Sequence, residues 1–286
     1  MQQRIKRIVG FSGGVDSQAT ALWVRNHFPG EDVILMNADA GGNEHPITTQ
    51  FIADYSAKVF PVVMVSAIVA DLGGVGAKDP EAMLRRREFA EDAPLTFDGL
   101  AKIKNTFPAG RHQFCTRFLK LAPQLRWIRE NLLGQPYERY AGVRRDESRA
   151  RANLPAEDVD DYFQCKLFRP LIDWTKKMCF DYLAAHGEEV NPLYRMGFGR
   201  VGCAPCVNSS KDDIRNWAAR FPEMIDKVRV WETRNGKPFF LPRSGEDTLW
   251  IDDKVAWSRT EFGGKQYSLP FVEAESGCSS LYGLCE

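Results

Sequence analysis

Two groups of residues in this chain combine types and spacings that could do chemistry. The first is Ser12-Gly13-Gly14-Val15-Asp16-Ser17, directly after the apolar run Ile8-Val9-Gly10-Phe11. A strand that passes through a glycine turn into a helix gathers several backbone N–H groups around an anion. Gly13 and Gly14 let the backbone approach a phosphate closely, and the Ser12 and Ser17 hydroxyls add donors. The loop carries no lysine, so it is neither a G-x-x-x-x-G-K-S/T loop nor a G-x-G-x-x-G turn. Asp16 either fixes this loop or helps to place Mg²⁺. As an ordinary carboxylate at a helix start it is also favourable against the helix dipole.

The second group is the cysteines, seven in all. Cys203-Ala204-Pro205-Cys206 is a C-x-x-C in a loop, Cys115 lies upstream, and Cys278 and Cys285 form a wider pair near the chain's end. Cys165 and Cys179 sit among apolar residues and read as small buried hydrophobes. Three assignments stay open for the others. An iron–sulfur cluster would use Cys115, Cys203, Cys206 and one tail cysteine, and a zinc ion would use Cys203, Cys206, Cys278 and Cys285. A thiol redox pair would use the C-x-x-C alone.

The elements that must position these groups read as α/β. Arg4 to Phe11 is the first strand, and a helix follows with Ala19, Leu22, Trp23 and Asn26 on one face. Val33 to Asn37 is a short buried strand that ends in the turn Asn37-Ala38-Asp39-Ala40-Gly41-Gly42. The next helix has Pro46 in its first turn and Ile47, Phe51, Ile52, Tyr55 and Val59 on one face, and Pro61 to Val65 is a third strand. Strands alternating with helices imply right-handed crossovers and a parallel sheet, whose ligands sit beyond the strands' C-terminal ends. Both glycine turns fall there.

Residues 66 to 104 read as a mobile lid or a surface helix, with Arg85-Arg86-Arg87 as a solvated basic face. Pro123 to Leu133 is a helix with Leu125, Ile128 and Leu132 toward the core. Tyr137 to Val143 is a strand that runs into Arg144-Arg145-Asp146-Glu147-Ser148-Arg149. These arginines suit a phosphate or sulfate, or surface pairing with Asp146 and Glu147. Thr175 caps a helix that ends at Gly187, and Ser210 to Asp213 has the form of a capping box. The helix it opens should bury Ile214, Trp217, Ala218 and Phe221, with another from Pro222. The expected division is an α/β nucleotide-binding domain over residues 1–200 and a mostly helical, cysteine-bearing extension over 201–286.

The bulk numbers exclude some classes. Lysine plus arginine and aspartate plus glutamate both number 38, and this zero net charge argues against a broad, non-specific nucleic-acid footprint. No secretory h-region or membrane-spanning run is visible, so the cysteines are expected as thiols or metal ligands in the cytoplasm, with no membrane partner. Of His27, His45, His112 and His186, none stands in a catalytic arrangement.

The hexapeptide from Ser12 to Ser17 resembles the PP-loop of ATP-pyrophosphatase-type proteins. In a longer series of stretches the chain resembles the phosphoadenosine phosphosulfate reductase family, particularly members found beside sulfur-modification and phage genes. Asp39 with Pro46 and Phe51 resembles that family's D-T-G…P-E-T…F segment. Cys115 through Lys120 resembles its cysteine-then-lysine element. Gly142 through Arg149 resembles G-x-R-x-x-(E/Q)-S…R, Pro170 through Thr175 resembles P-(L/I)-x-x-W-(S/T), Asn191-Pro192-Leu193-Tyr194 resembles N-P-L-Y, and Gly202 through Cys206 matches G-C-x-x-C.

The resemblance implies an adenine nucleotide α-hydrolase-like fold. It implies nucleotide binding by Ser12, Gly13, Gly14, Asp16, Ser17, Asp39, Arg145 and Arg149, and catalytic roles for Asp16, Lys120, Arg144 and Cys285. It favours a 4Fe–4S cluster on Cys115, Cys203, Cys206 and Cys278 over zinc. Two features depart from the family pattern: Phe114-Cys115 stands where cluster-bearing members have a Cys-Cys pair, and the tail Gly283-Leu284-Cys285-Glu286 is not the E-C-G-L-H-type motif of the reductases. The expected activity is therefore adenylylation by ATP, with Mg²⁺ and pyrophosphate release, coupled to sulfur transfer from a donor such as a cysteine desulfurase to an acceptor that the sequence leaves open between nucleic acid and a small metabolite. The alternative is a sulfonucleotide reductase that draws on a thiol donor such as thioredoxin. A third expectation is a nucleotide-binding, cluster-bearing subunit without turnover.

Overall fold

The computed structural model describes residues 4–73, 80–110, 112–241 and 249–260. Cys278 and Cys285 lie outside the described residues. The chain runs β1 (Lys6–Gly10), α1 (Val15–His27), β2 (Val33–Ala38), α2 (Pro46–Lys58) and β3 (Val62–Val65), so the opening alternation is as the apolar pattern predicts. Two short helices follow, α3 (Pro80–Arg86) and α4 (Phe97–Lys104), then α5 (Ala122–Leu132), β4 (Tyr137–Tyr140), β5 (Glu157–Asp160) and β6 (Cys165–Phe168). The remainder is helical: α6 (Lys176–Ala185), α7 (Pro192–Arg195), α8 (Lys211–Arg220), α9 (Pro222–Asn235) and α10 (Ile251–Ser258).

The six strands form one sheet in the order β3-β2-β1-β4-β6-β5. All neighbours are parallel except β5, which pairs antiparallel with β6 at the edge. The alternating strands and helices predict a parallel sheet, and this edge strand has no counterpart in that pattern. Glu157-Asp158-Val159-Asp160 has three exposed positions and too little apolar character to mark a strand, and such charge on an edge discourages pairing with another chain.

Alternation along the inner strands sends side chains to both faces. Ile8, Met36 and Val65 pack under Ile128 and Leu132 of α5 on one face. Val9 and Leu35 pack against Ala21 and Val24 of α1 and Ile52 and Tyr55 of α2 on the other. A third apolar cluster, away from the sheet, joins Phe97, Leu100 and Phe107 to Trp217, Val228, Trp231 and Phe239. The basic run on α3 has specific partners: Arg85 Nε donates to the Ile103 carbonyl at 3.1 Å, and Arg86 pairs with Glu91 at 2.7 Å.

The predicted caps form. Thr175 Oγ1 accepts from Met178 N at 3.2 Å, and Ser210 and Asp213 bond reciprocally at the start of α8. Ile214 and Trp217 are buried, while Ala218 and Phe221 are half-buried against the same cluster. Among the described residues, no helix is long and apolar enough to cross a membrane.

Candidate functional site

The sheet's direction of winding changes at β1. Its neighbours are β2 on one side and β4 on the other, so a crevice opens beyond the C-terminal ends of β1 and β4. The loop from Ser12 to Ser17 leaves β1 at that place. Gly13 adopts φ +77°, a left-handed conformation that favours glycine. The two serines tie the loop together: Ser12 N and Ser12 Oγ each lie 3.1 Å from Ser17 Oγ, and Ser17 Oγ donates to the Gly14 carbonyl at 2.9 Å. Val15 N donates to the Tyr194 hydroxyl at 2.9 Å, which anchors the start of α1 to the Asn191–Tyr194 segment far along the chain.

Asp16 does not point into open solvent. Its carboxylate is buried, and Arg144 Nε lies 2.7 Å from Oδ2 as an ion pair, while Oδ1 has no hydrogen-bond partner. Arg144 is buried as well and also pairs with the more exposed Asp146. The pair ties α1 to the segment after β4. Gly142 lets the two backbones meet, because a Cβ there would stand 2.7 Å from the Asp16 carbonyl carbon and oxygen. Of the other basic residues in this segment, Arg145 is held by the Leu154 carbonyl at 2.8 Å and pairs with Asp173, and Arg149 is exposed. Surface pairing with Asp146 and Glu147 thus accounts for part of the cluster. Arg144 is shared with Asp146, and Glu147 pairs with the buried Arg151 instead.

The segment after β2 joins this crevice to the cysteines. Asp39 Oδ1 accepts from Gly42 N at 3.0 Å, closing the turn. Glu44 then forms an antiparallel bridge with Cys203. Buried Asn43 secures the bridge on both sides: its carbonyl accepts from Ala204 N at 2.8 Å, and its Nδ2 donates to the Pro205 carbonyl at 3.1 Å. Cys115 reaches the same place from the start of a π-helical turn, Thr116–Leu121, which also carries buried Lys120 inward.

These groups shape one another's charge. Burial pushes the Cys115 thiol up to about 12, and the facing Cys203 and Cys206 add to the shift. Burial raises Cys203 too, against the pull of Lys120, which hydrogen-bonds to it. Burial alone would lower the Lys120 ammonium, but Cys203, Glu44, Cys115 and Cys206 together hold it above the ordinary lysine range. Lys227 of α9 completes the ring. Its Nζ donates to the Gly42 carbonyl at 3.0 Å, and burial lowers it despite Cys203 and Asp39 nearby.

Among the described residues, no group of three or more His, Cys, Asp or Glu side chains is arranged to hold a metal ion. What converges is three thiols around one lysine. Cys179 is fully buried, as its apolar surroundings predict, whereas Cys165 in β6 is only half-buried against the core.

Three residues of the site escape sequence reasoning. Lys227 lies in an ordinary amphipathic helix, and nothing local marks it. Tyr194 stands in a recognised segment, but its bond to the loop is long-range. Glu44 does carry a signal, an acidic residue in a turn that follows a strand end. Burial pushes its carboxyl up to about 7, with Lys120 opposing and Asp39 reinforcing. A carboxyl so raised binds a proton in the folded chain before it does in the unfolded one. Its contribution to stability is therefore full below about pH 4.5 and is lost as pH rises to about 7. Replacing Glu44 with Gln should remove that slope, so the variant gains on the parent by up to roughly 3 kcal/mol across this window. Denaturant unfolding of both proteins from pH 4.5 to 8 measures it, and parallel curves would sink the account.

A doubly wound sheet with a glycine-turn phosphate-type loop at its switch point defines a nucleotide-binding class of α/β protein. The phosphoadenosine phosphosulfate reductase domain model matches residues 6–209, and the chain belongs to that family. A 37.8 kDa protein from the gpa 5′ region of Escherichia phage 186 is 30% identical over 98% of this chain and 96% of its own length. The adenosine 5′-phosphosulfate reductase of Allochromatium vinosum is 32% identical over 44% of this chain and 48% of that one. Adenosine 5′-phosphosulfate reductase 1 of Bacillus subtilis is 34% identical over 36% and 42%. The match thus spans less than half the length of these reductases. A crystal structure of phosphoadenylyl-sulfate reductase from Candida auris, a phosphate complex, aligns over 70% of this chain and 82% of that one. Its TM-score is 0.45 and its identity 15%.

Proposed function

We propose that the chain binds an adenylyl nucleotide in the crevice beyond β1 and β4 and acts on sulfur at the adjoining cysteines, as a sulfonucleotide reductase-like enzyme. The observation that carries this reading is the shared segment. Residues 39–45 leave the nucleotide crevice and bridge directly to Cys203, beside which Lys120 is buried. Backbone N–H groups of the loop bind the α-phosphate, with the serines setting the loop's shape and Asp16 fixing its start through Arg144. Lys120 and Arg144 face the charge that develops as the phosphate leaves. Asp39, Arg145 and Arg149 belong to the crevice rim and act on the nucleotide's outer parts.

The thiolate of Cys285 forms a bond to the sulfur of a bound adenylyl sulfate. The sulfur–oxygen bond to the α-phosphate breaks, and AMP leaves with the electron pair. A dithiol donor of the thioredoxin type then attacks Cys285 Sγ, sulfite departs with the pair, and the donor's second thiol releases Cys285 as the donor becomes a disulfide.

The donor set at the other end suits an iron–sulfur cluster better than a single zinc ion. The Cys115 and Cys203 thiols, raised by burial, are poor free nucleophiles. A bound cluster would take them as thiolates, and Lys120 would offset the resulting negative charge. Cys115, Cys203 and Cys206 would hold a 4Fe–4S centre with one tail cysteine such as Cys278, and its charge and electron capacity would tune the neighbouring sulfur chemistry.

The tail's departure from E-C-G-L-H favours a second reading, ATP-dependent adenylylation with sulfur transfer. One anaerobic preparation separates the two. Sulfite released from adenosine 5′-phosphosulfate with a thiol donor, with iron and acid-labile sulfide bound, supports reduction. Pyrophosphate released from ATP without sulfite release replaces it with adenylylation. Neither product, with nucleotide still bound, leaves a subunit without turnover.

A further inference from the structure

Arg200 stands three residues before Cys203 and takes no part in the account so far. Together with Val201, Cys203, Cys206, Ser209 and Trp217 it lines a small cleft in front of the C-x-x-C. Among the described residues, the buried arginines are spent on fixed partners: Arg7 on Glu31 and Glu138, Arg139 on Asp160, Arg144 on Asp16, Arg151 on Glu147 and Arg169 on Asp158. Arg200 differs. Its one hydrogen bond is a long one, from Nη1 to the Asn208 carbonyl at 3.4 Å, and among the described residues no carboxylate lies within ion-pair distance of it. Asp213 lines the same cleft, but its oxygens already accept from Gly199 N at 3.2 Å and from Ser210 N and Oγ at 3.1 and 2.7 Å.

The charge of Arg200 also opposes the upward push of burial on the Glu147 carboxyl, in the turn immediately after Arg144. A half-buried guanidinium with donors to spare, lining the cleft in front of a pair of cysteines, is suited to a tetrahedral oxyanion.

Resting on the reading above, we propose that Arg200 binds the tetrahedral oxyanion attached to the nucleotide's α-phosphate and holds it toward the cleft of Cys203 and Cys206. That oxyanion is the sulfate of an adenylyl sulfate or the β-phosphate of ATP; the two offer the same chemistry to a guanidinium. Arg200 is thus a specificity residue that separates AMP from its activated derivatives.

Calorimetric titration of the holoprotein with AMP, adenosine 5′-phosphosulfate and ATP tests this, for the parent chain, Arg200→Ala and Arg200→Lys. Thermal unfolding confirms that each variant is folded. Arg200→Ala should lose about tenfold or more in affinity for one of the two activated nucleotides and little for AMP. The nucleotide that suffers identifies the oxyanion. Arg200→Lys should recover part of the loss, keeping the charge without the fork. Equal losses for all three nucleotides, or none, overturn the proposal. Should the parent bind no nucleotide, the reading above fails by itself, and titration with inorganic sulfate decides for Arg200. Sulfate binding that disappears in Arg200→Ala supports the residue's role, and sulfate binding that is absent or unchanged removes it.

Discussion

Arg144→Ala should lower the melting temperature by on the order of 10 °C and abolish nucleotide binding. Removing one partner of a buried ion pair leaves the other charge stranded, at about 3–5 kcal/mol, and a chain of this size loses roughly 2–4 °C per kcal/mol. The stranded group here is Asp16, buried and already without a partner at Oδ1. Asp16→Asn should cost distinctly less, because Arg144 keeps Asp146 as a second acceptor. Thermal melts of the two single variants and the double variant Asp16→Asn/Arg144→Met read this out. The double variant should be more stable than Arg144→Ala alone. If Asp16→Asn proves the more damaging single change, the pair is not organised as described.

Gly142→Ala should be nearly as severe. The new methyl would meet the Asp16 carbonyl carbon and oxygen at 2.7 Å and Ser17 N at 2.9 Å, all of them backbone atoms of the loop and of α1. No side chain can swing aside, so the strand end or the helix start must shift, at about 3 kcal/mol or more. Nucleotide affinity should fall with stability, since the displaced atoms belong to the loop proposed to bind it. Gly110→Ala is the comparison. Its added Cβ meets only Asn208 Oδ1 at 3.9 Å, and its stability should stay within about 0.5 kcal/mol of the parent. Equal behaviour of the two alanines in denaturant titration would rule out the close approach at Gly142.

What could be read from the sequence follows from the range of the forces involved. The loop from Ser12 to Ser17 and the strands and helices around it depend on neighbours a few residues away, so apolar periodicity, glycines and caps reveal them. The Thr175 and Ser210 caps were legible for the same reason. The pairing of Asp16 with Arg144, 128 residues apart in number, has no local trace. Nor does the bond from Val15 to Tyr194, or the placing of Lys227 over Gly42. The π-helical turn after Cys115 was hidden because its residues, Thr116-Arg117-Phe118-Leu119-Lys120-Leu121, have no composition that separates one helical pitch from another. Resemblance marked Lys120 as a functional residue for charge on phosphate or sulfate; its place beside Cys203 comes from the fold.

The Asn43 clamp has a consequence for how this region comes apart. A loop that carries two cysteines would ordinarily open by itself, in a local fluctuation much cheaper than global unfolding. Here the C-x-x-C turn shares two hydrogen bonds and a strand-like bridge with residues 43 and 44. The turn cannot peel away unless the segment after β2 is released with it. The cysteine turn and the proposed nucleotide crevice therefore belong to one cooperative opening unit, and a ligand held in the crevice should protect both by raising a single opening free energy.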